Sequence, residues 1–258
     1  MLNLAVNLSM IFTEVPLIER FALAKKHGFQ AVEIQFPYEL SIPHIQHQLE
    51  LHQLELVLIN VPAGDLMQGG NGLAGVPGQE TEFALAVQKA MHYASQLSVP
   101  TVNILAGKQP VDADLLPCLQ ILAENLRFAC DAFQDTDVTP VIEMINSTDM
   151  PRFLIQNLAQ GQEMLEAVNH PALKLQYDCY HMAMMGEDVL QGLKENIDNI
   201  AHIQFADYPG RHEPHTAELH YDEIFKWIRN SSYLGYCGAE YKPSTSSSNS
   251  FSWLKAYL

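Results

Sequence analysis

Eight short apolar runs recur every thirty or so residues through the chain: Leu4 to Leu8, Ala31 to Gln35, Leu56 to Asn60, Thr101 to Leu105, Pro140 to Glu143, Leu173 to Asp178, Ile200 to Phe205 and Tyr236 to Glu240. Their length and β-branched content predict strands. Helical periodicity fills the intervals, as in Phe21, Ala24 and Lys25 before Gly28, and in Phe83, Val87, Ala90, Met91 and Ala94 before Leu97. Gly28 is placed to end the first helix with a left-handed cap. A length of 258 residues fits one or two domains. Strand and helix alternating eight times without a break in composition predicts one α/β unit over 1–258, a (β/α)8 TIM barrel.

Two stretches break the pattern. Ala63 to Gly78, after the third strand, is rich in glycine and lies where active-site loops of such barrels lie; it is expected either as a lid or wall over the mouth or as a plain surface loop. The serine-rich run Ser244 to Ser250 is followed by Phe251, Leu254 and Leu258 at helical spacing, which predicts a closing C-terminal helix.

Hydrophobic residues at 48% and charged ones at 17% describe a soluble globular protein with a sizeable core. The net charge of −16, from 30 acidic and 14 basic side chains, repels nucleic acid at long range and requires a local basic patch for any anionic metabolite. Cys118, Cys130, Cys179 and Cys237 form no C-x-x-C pair and are expected as free thiols in a reducing, cytoplasmic compartment. Met1 to Met10 lacks a basic leader and is expected as a strand rather than a signal peptide, and no apolar run reaches membrane-spanning length.

Chemistry concentrates at the strand ends. Glu143, Asp178, Gln204 and Glu240 close the fifth to eighth runs. In a β/α barrel the C-terminal ends of the strands ring one mouth, so these four converge despite spanning nearly a hundred positions. Three carboxylates and an amide oxygen make a hard oxygen site suited to Mg²⁺ or Mn²⁺. Glu143 and Glu240 are also proton-transfer groups for chemistry beside a carbonyl. For any one acid alone, a solvated loop position or a helix N-cap is the simpler explanation; four at successive strand ends favour the site. Alternation along the strands then turns Val141, Gln176, His202, Gly238 and Lys242 to the same inner face.

The segments Asn7-Leu-Ser-Met-Ile-Phe-Thr-Glu14, Asn60-Val-Pro-Ala-Gly-Asp65, Asp178-Cys-Tyr-His181, His202-Ile-Gln204, Pro209-Gly-Arg211-His-Glu-Pro214 and Glu240-Tyr-Lys-Pro243 resemble those of the hydroxypyruvate isomerase family, of the xylose isomerase-like barrels, from end to end. That resemblance implies metal binding by Glu143, Asp178, Gln204 and Glu240, proton transfer by Glu143 and Glu240, and a substrate contact from His181. It implies isomerisation of hydroxypyruvate to tartronate semialdehyde through an enediol. The alternatives are a 2-oxo-tetronate or other sugar isomerase or epimerase of the same kind, an endonuclease IV-like phosphodiesterase, and a barrel that binds metal or metabolite without catalysis. The wider epimerase group often has His where Gln204 stands.

Arg211, in the loop after the seventh run, carries a fork of donors suited to a carboxylate, and Lys242 is a second candidate for a substrate anion. Many relatives read Lys-Pro-Arg-Gly where this chain has Lys242-Pro-Ser-Thr245, so one cation near the mouth is missing; either the substrate differs or Arg211, Lys108 or Lys242 substitutes for it. No G-x-G-x-x-G, GK[ST] or G-x-S-x-G motif stands at a strand-to-helix turn, so no nucleotide cofactor or serine nucleophile is expected. By analogy with relatives, the chain is expected as a homo-oligomer acting on a small anionic metabolite.

Overall fold

The computed structural model describes residues 2–257. Its strands, β1 (Asn3–Asn7), β2 (Ala31–Ile34), β3 (Glu55–Asn60), β4 (Thr101–Ile104), β5 (Thr139–Glu143), β6 (Lys174–Asp178), β7 (Ile200–Phe205) and β8 (Tyr236–Ala239), pair in parallel and in sequence order into a closed barrel. Closure is made by β1 against β8, with Ala5 opposite Gly238 and Val6 opposite Ala239. Around them run α1 (Leu17–Lys26), α2 (Ile42–His52), α3 (Glu80–Leu97), α4 (Leu115–Phe133), α5 (Leu158–Val168), α6 (Cys179–Met184), α7 (Val189–Asn196) and α8 (Tyr221–Asn230).

The two faces of the strands divide by chemistry. Outward residues such as Val6, Val32, Ile104, Ile142, Leu175, Tyr177, Ile203 and Phe205 join the core between barrel and helices. Helix α3 lays Phe83, Val87, Ala90 and Ala94 against it, a stripe at 3.6-residue spacing. Inside the barrel, by contrast, apolar packing is thin: Ala5, Ala31 and Val57 form a small separate cluster with Tyr236. Asn7, Glu33, Asn103, Glu143, Gln176, Asp178, His202 and Gln204 are all buried, and so are polar groups that must satisfy one another. Strand register aligns them in pairs, Asn7 opposite Glu33, Gln176 opposite His202 and Asp178 opposite Gln204.

Local signals fix the ends. Gly28 at φ 97° follows α1, and Phe29 N–H returns to Ala24 O at 3.2 Å, the left-handed close that glycine permits. Asp178 ends β6 and caps α6 at once, accepting from Tyr180 N–H at 2.8 Å and His181 N–H at 3.4 Å.

The Ala63 to Gly78 loop is built in. Leu66, Ala74 and Val76 are buried, Asp65 accepts from Gly72 N–H, and Asn71 O, Ala74 O and Gly75 N–H are tied to Lys108 N–H, Asn125 Nδ2 and Ala106 O. With these anchors it is a packed loop bound to the segment after β4 and to α4. The expected C-terminal α-helix is replaced, within the described residues, by two 3₁₀ turns, Ser247–Asn249 and Ser252–Ala256; Leu258 lies outside those residues. The reason is local: serine side chains bond backbone and neighbours rather than support a helix. Ser250 donates to Ser247 O at 2.8 Å, and Ser247 N–H and Oγ both bond the Glu14 carboxylate at 2.8 Å, fastening this segment to the loop after β1.

Candidate active site

Glu143, Asp178 and Glu240 meet at the mouth on the ends of β5, β6 and β8, each no more than 4% exposed. Glu240 lies one residue past β8, still in the ladder through its N–H to Phe205 O. Asn103 Nδ2 donates to Glu143 Oε2 at 2.8 Å. Asp178 uses Oδ1 to cap α6, and its Oδ2 is buried without a hydrogen-bond partner. Such an oxygen is costly unless something positive faces it.

Two groups face it. Arg211 Nη2 is 3.6 Å from Asp178 Oδ2 and also pairs with Glu240 Oε2, while its guanidinium lies over the Tyr180 ring, 5.2 Å from the centroid. Asp207 sets the loop that presents it: this buried carboxylate accepts from Tyr208, Thr216, Ala217 and Leu219 N–H, and its backbone carbonyl takes Arg211 N–H at 3.0 Å. His181 Nε2 is likewise 3.6 Å from Asp178 Oδ2. Glu143, Asp178 and His181 together place ligand atoms within 4.8 Å of one another.

The tautomer of His181 follows from its neighbour. Asn146 Oδ1 accepts from Thr148 and Asp149 N–H, so its Nδ2 is the atom 2.7 Å from His181 Nδ1. Nδ1 therefore accepts, and the neutral ring carries its proton on Nε2, toward the acids. Burial pushes His181 down to about 4, which keeps it neutral at neutral pH. The ring is a hydrogen-bond donor to the site.

Electrostatics separate the acids from ordinary carboxylates. Burial, then the nearby Glu240 and Asp178 charges, holds Glu143 well above the usual range. Burial also lifts Glu240 to about 7 against the opposing pull of Arg211. For Arg211 burial works against the charge, yet Glu240 and Asp178 outweigh it and raise its pKa.

Two expected site residues arrive differently. Gln204 reaches the cluster with its amide nitrogen, not the oxygen expected of a metal ligand: Nε2 donates to Glu33 Oε2 at 2.8 Å and Glu240 Oε1 at 3.3 Å, while Oε1 accepts from Gln176 at 2.7 Å. Lys242, expected inside, is exposed, because strand geometry ends at Ala239 and the chain turns outward before Pro243. Only its backbone serves the site, with N–H to Arg211 O at 2.7 Å and O to His212 Nδ1 at 2.7 Å. Ser244 bonds the Glu213 carboxylate through N–H at 2.9 Å and Oγ at 2.5 Å, so that position ties two loops together.

Residues not singled out from sequence complete the interior: Asn7, Glu33, Gln35 and Asn103, from β1 to β4 or just beyond. Each is a polar residue within or at the end of an apolar run, a weaker form of the signal that marked Glu143 and Asp178.

A closed parallel barrel with an acidic, histidine-bearing mouth defines the class, and comparison with known proteins gives the family. The xylose isomerase-like TIM barrel description matches residues 21–257. The chain belongs to that family. It is 39% identical to the 2-oxo-tetronate isomerase of Cupriavidus necator over 254 residues, 98% of each chain, and 39% identical to the hydroxypyruvate isomerase of Escherichia coli over 257 residues, 100% of each. A crystal structure described as AP endonuclease, family 2, from Brucella melitensis superposes with a TM-score of 0.96 at 34% identity, covering 100% of this chain and 99% of that one.

Proposed function

We propose that the protein is an aldose-ketose type isomerase of a small hydroxy-oxo acid, with hydroxypyruvate and tartronate semialdehyde as the leading pair and 2-oxo-tetronates as the second. One observation carries this: the buried carboxylates Glu143, Asp178 and Glu240 share a single mouth with the largely covered Arg211, which pairs with Asp178 and Glu240. The full-length likeness to two isomerases supports it.

The site also fits a divalent cation. The unpartnered Asp178 Oδ2 lies within 4.8 Å of ligand atoms of Glu143 and His181, with Glu240 at the same mouth, a donor set dominated by hard oxygens. Glu143, Asp178 and Glu240 would hold the ion, and Gln204 stands beside it as a donor to Glu240. When bound, the cation supplies positive charge next to the two oxygens between which the carbonyl moves. Mg²⁺ and Mn²⁺ are the candidates by donor type.

The chain's own groups do the rest. One glutamate takes the proton from the hydroxyl-bearing carbon, and the other gives a proton to the former carbonyl carbon, while the hydroxyl proton passes to the new hydroxyl oxygen. An ordinary glutamate, near 4.3, is a poor base for a carbon acid. Burial lifts Glu240 to about 7 in the metal-free site, closer to neutral pH; a bound cation would lower it again. His181 Nε2–H donates to a substrate oxygen, and Arg211 takes the substrate carboxylate.

Phosphodiester cleavage, which the description of the Brucella structure raises, gains little support. The possible metal group holds one histidine, and a net charge of −16 opposes a polyanionic substrate. The deciding experiment is NMR profiling of Mg²⁺- or Mn²⁺-loaded protein on hydroxypyruvate, 2-oxo-tetronates and common ketoses in D2O. Carbonyl transposition on one of the two acids is expected; no transposition on any would overturn the proposal.

A further inference from the structure

We infer that Glu33 is a positioning residue for Glu240, fixing through two shared side-chain amides which carboxylate oxygen Glu240 presents at the mouth. The inference rests on the proposed role of Glu240 and goes beyond it. Glu33, on β2, is fully buried; His202 Nε2 lies 2.5 Å from its Oε1, and its Oε2 accepts from Asn7 Nδ2 at 3.0 Å and Gln204 Nε2 at 2.8 Å. An amide nitrogen has two protons. Asn7 sends the second to Glu240 Oε1 at 3.0 Å, and Gln204 sends its second to the same atom at 3.3 Å. Gln35 Nε2 adds a third donor at 2.9 Å. Oε1 of Glu240 is thus saturated by three N–H groups, and the oxygen left for proton transfer is Oε2, whose single partner is Arg211.

Glu33 is what makes this arrangement singular. A side-chain amide can turn over unless its neighbours distinguish oxygen from nitrogen. Reversing Asn7 or Gln204 would set an amide oxygen against carboxylate oxygens of both Glu33 and Glu240. Space for Glu33 is reserved as well, since a Cβ at Gly238 would stand 1.6 Å from Glu33 Oε1. A buried carboxylate serving only as the partner of His202 would need neither shared amide.

Glu33→Gln retains shape and removes the charge that orients the amides; Glu33→Asp, which keeps the charge but shortens the reach, is the second variant should the first fold poorly. The first readout needs no substrate. In ¹⁵N spectra, the side-chain NH₂ signals of Asn7 and Gln204, assigned by deletion, are expected to shift and lose exchange protection while the backbone spectrum is retained. Unchanged NH₂ signals overturn the inference. The second readout is turnover of hydroxypyruvate or 2-oxo-tetronate: kcat is expected to fall about 10- to 100-fold with KM within about threefold, as for residues that orient catalytic groups. Lowered Tm with unaltered kcat would reduce Glu33 to a stabilising role and overturn the inference too. If the wild-type protein turns over neither acid, the functional proposal fails, and the NMR comparison still decides the role of Glu33.

Discussion

Arg211 Nη2 lies 3.6 Å from Asp178 Oδ2, an oxygen that has no hydrogen-bond partner among the described residues. The same nitrogen pairs with Glu240, so one guanidinium balances two buried acids at the mouth of the barrel. Its Nε is itself buried without a partner. A planar cation with an unused donor, held in an acidic pocket by a loop braced by Asp207, supports the proposed role of Arg211 in taking the substrate carboxylate.

Replacing this cation tests that placement. In Arg211→Ala, KM for an anionic substrate is expected to rise about 10- to 100-fold, the equivalent of the ~1.5–3 kcal/mol of a charged hydrogen bond. Thermal stability of the metal-free protein should fall as well, since Glu240 and Asp178 are then buried without their positive partner. Steady-state kinetics and a thermal scan measure the two effects; an unchanged KM removes Arg211 from the substrate site.

Asp178→Asn separates the two jobs of one side chain. Asparagine caps a helix about as well as aspartate, so α6 and Tm should be little affected. The charged Oδ2 disappears, and Mn²⁺ affinity by titration calorimetry is expected to drop at least about tenfold, in line with loss of a carboxylate from a hard-ion site. Equal Mn²⁺ binding in both proteins would place the ion elsewhere.

Glu143→Gln and Glu240→Gln each retain side-chain shape and remove the proton-transfer group. Turnover should be lost in both, by about 10²-fold or more, the usual worth of a positioned acid-base group. Circular dichroism should show the fold retained, and normal turnover in either purified variant contradicts the assignment.

The raised carboxyls also make stability depend on pH. In the folded metal-free protein Glu240 holds its proton up to about 7 and Glu143 titrates well above the ordinary 4.5, whereas the unfolded chain releases both near 4.5. The folded state therefore binds more protons in this window, and the cluster's contribution to stability is full below about pH 4.5 and is lost as pH rises toward 7. Added Mn²⁺ should offset that loss by binding the ionised acids. Tm measured from pH 4.5 to 7.5 with EDTA and with Mn²⁺ checks this; parallel curves would contradict it.

Much of the architecture was legible because parallel strands announce themselves as apolar runs. All eight expected runs agree with the observed strands to within a residue at either end, and Ile200–Phe205 coincides. The ring of strand ends then follows from topology, which brings Glu143, Asp178 and Glu240 to one mouth. Lys242 departed because alternation applies only while the chain remains a strand, and it leaves the ladder soon after Glu240. Gln204 shows a second limit: sequence gives the amide but not which end faces the acids, a choice made by Glu33 and Gln176. Glu33 itself escaped notice because a lone acid in the four-residue run Ala31–Ile34 has no nearby partner in sequence; His202 is 169 positions away.

The segment between Ala63 and Gly78 is tied to the rest of the molecule through a few named bonds. Asn71 O, Ala74 O and Gly75 N–H hold it to Lys108, Asn125 and Ala106, so it shares the order of the loop after β4 and of α4. Cutting the Asn125 bond with Asn125→Ala should therefore raise amide exchange on both sides of that seam together.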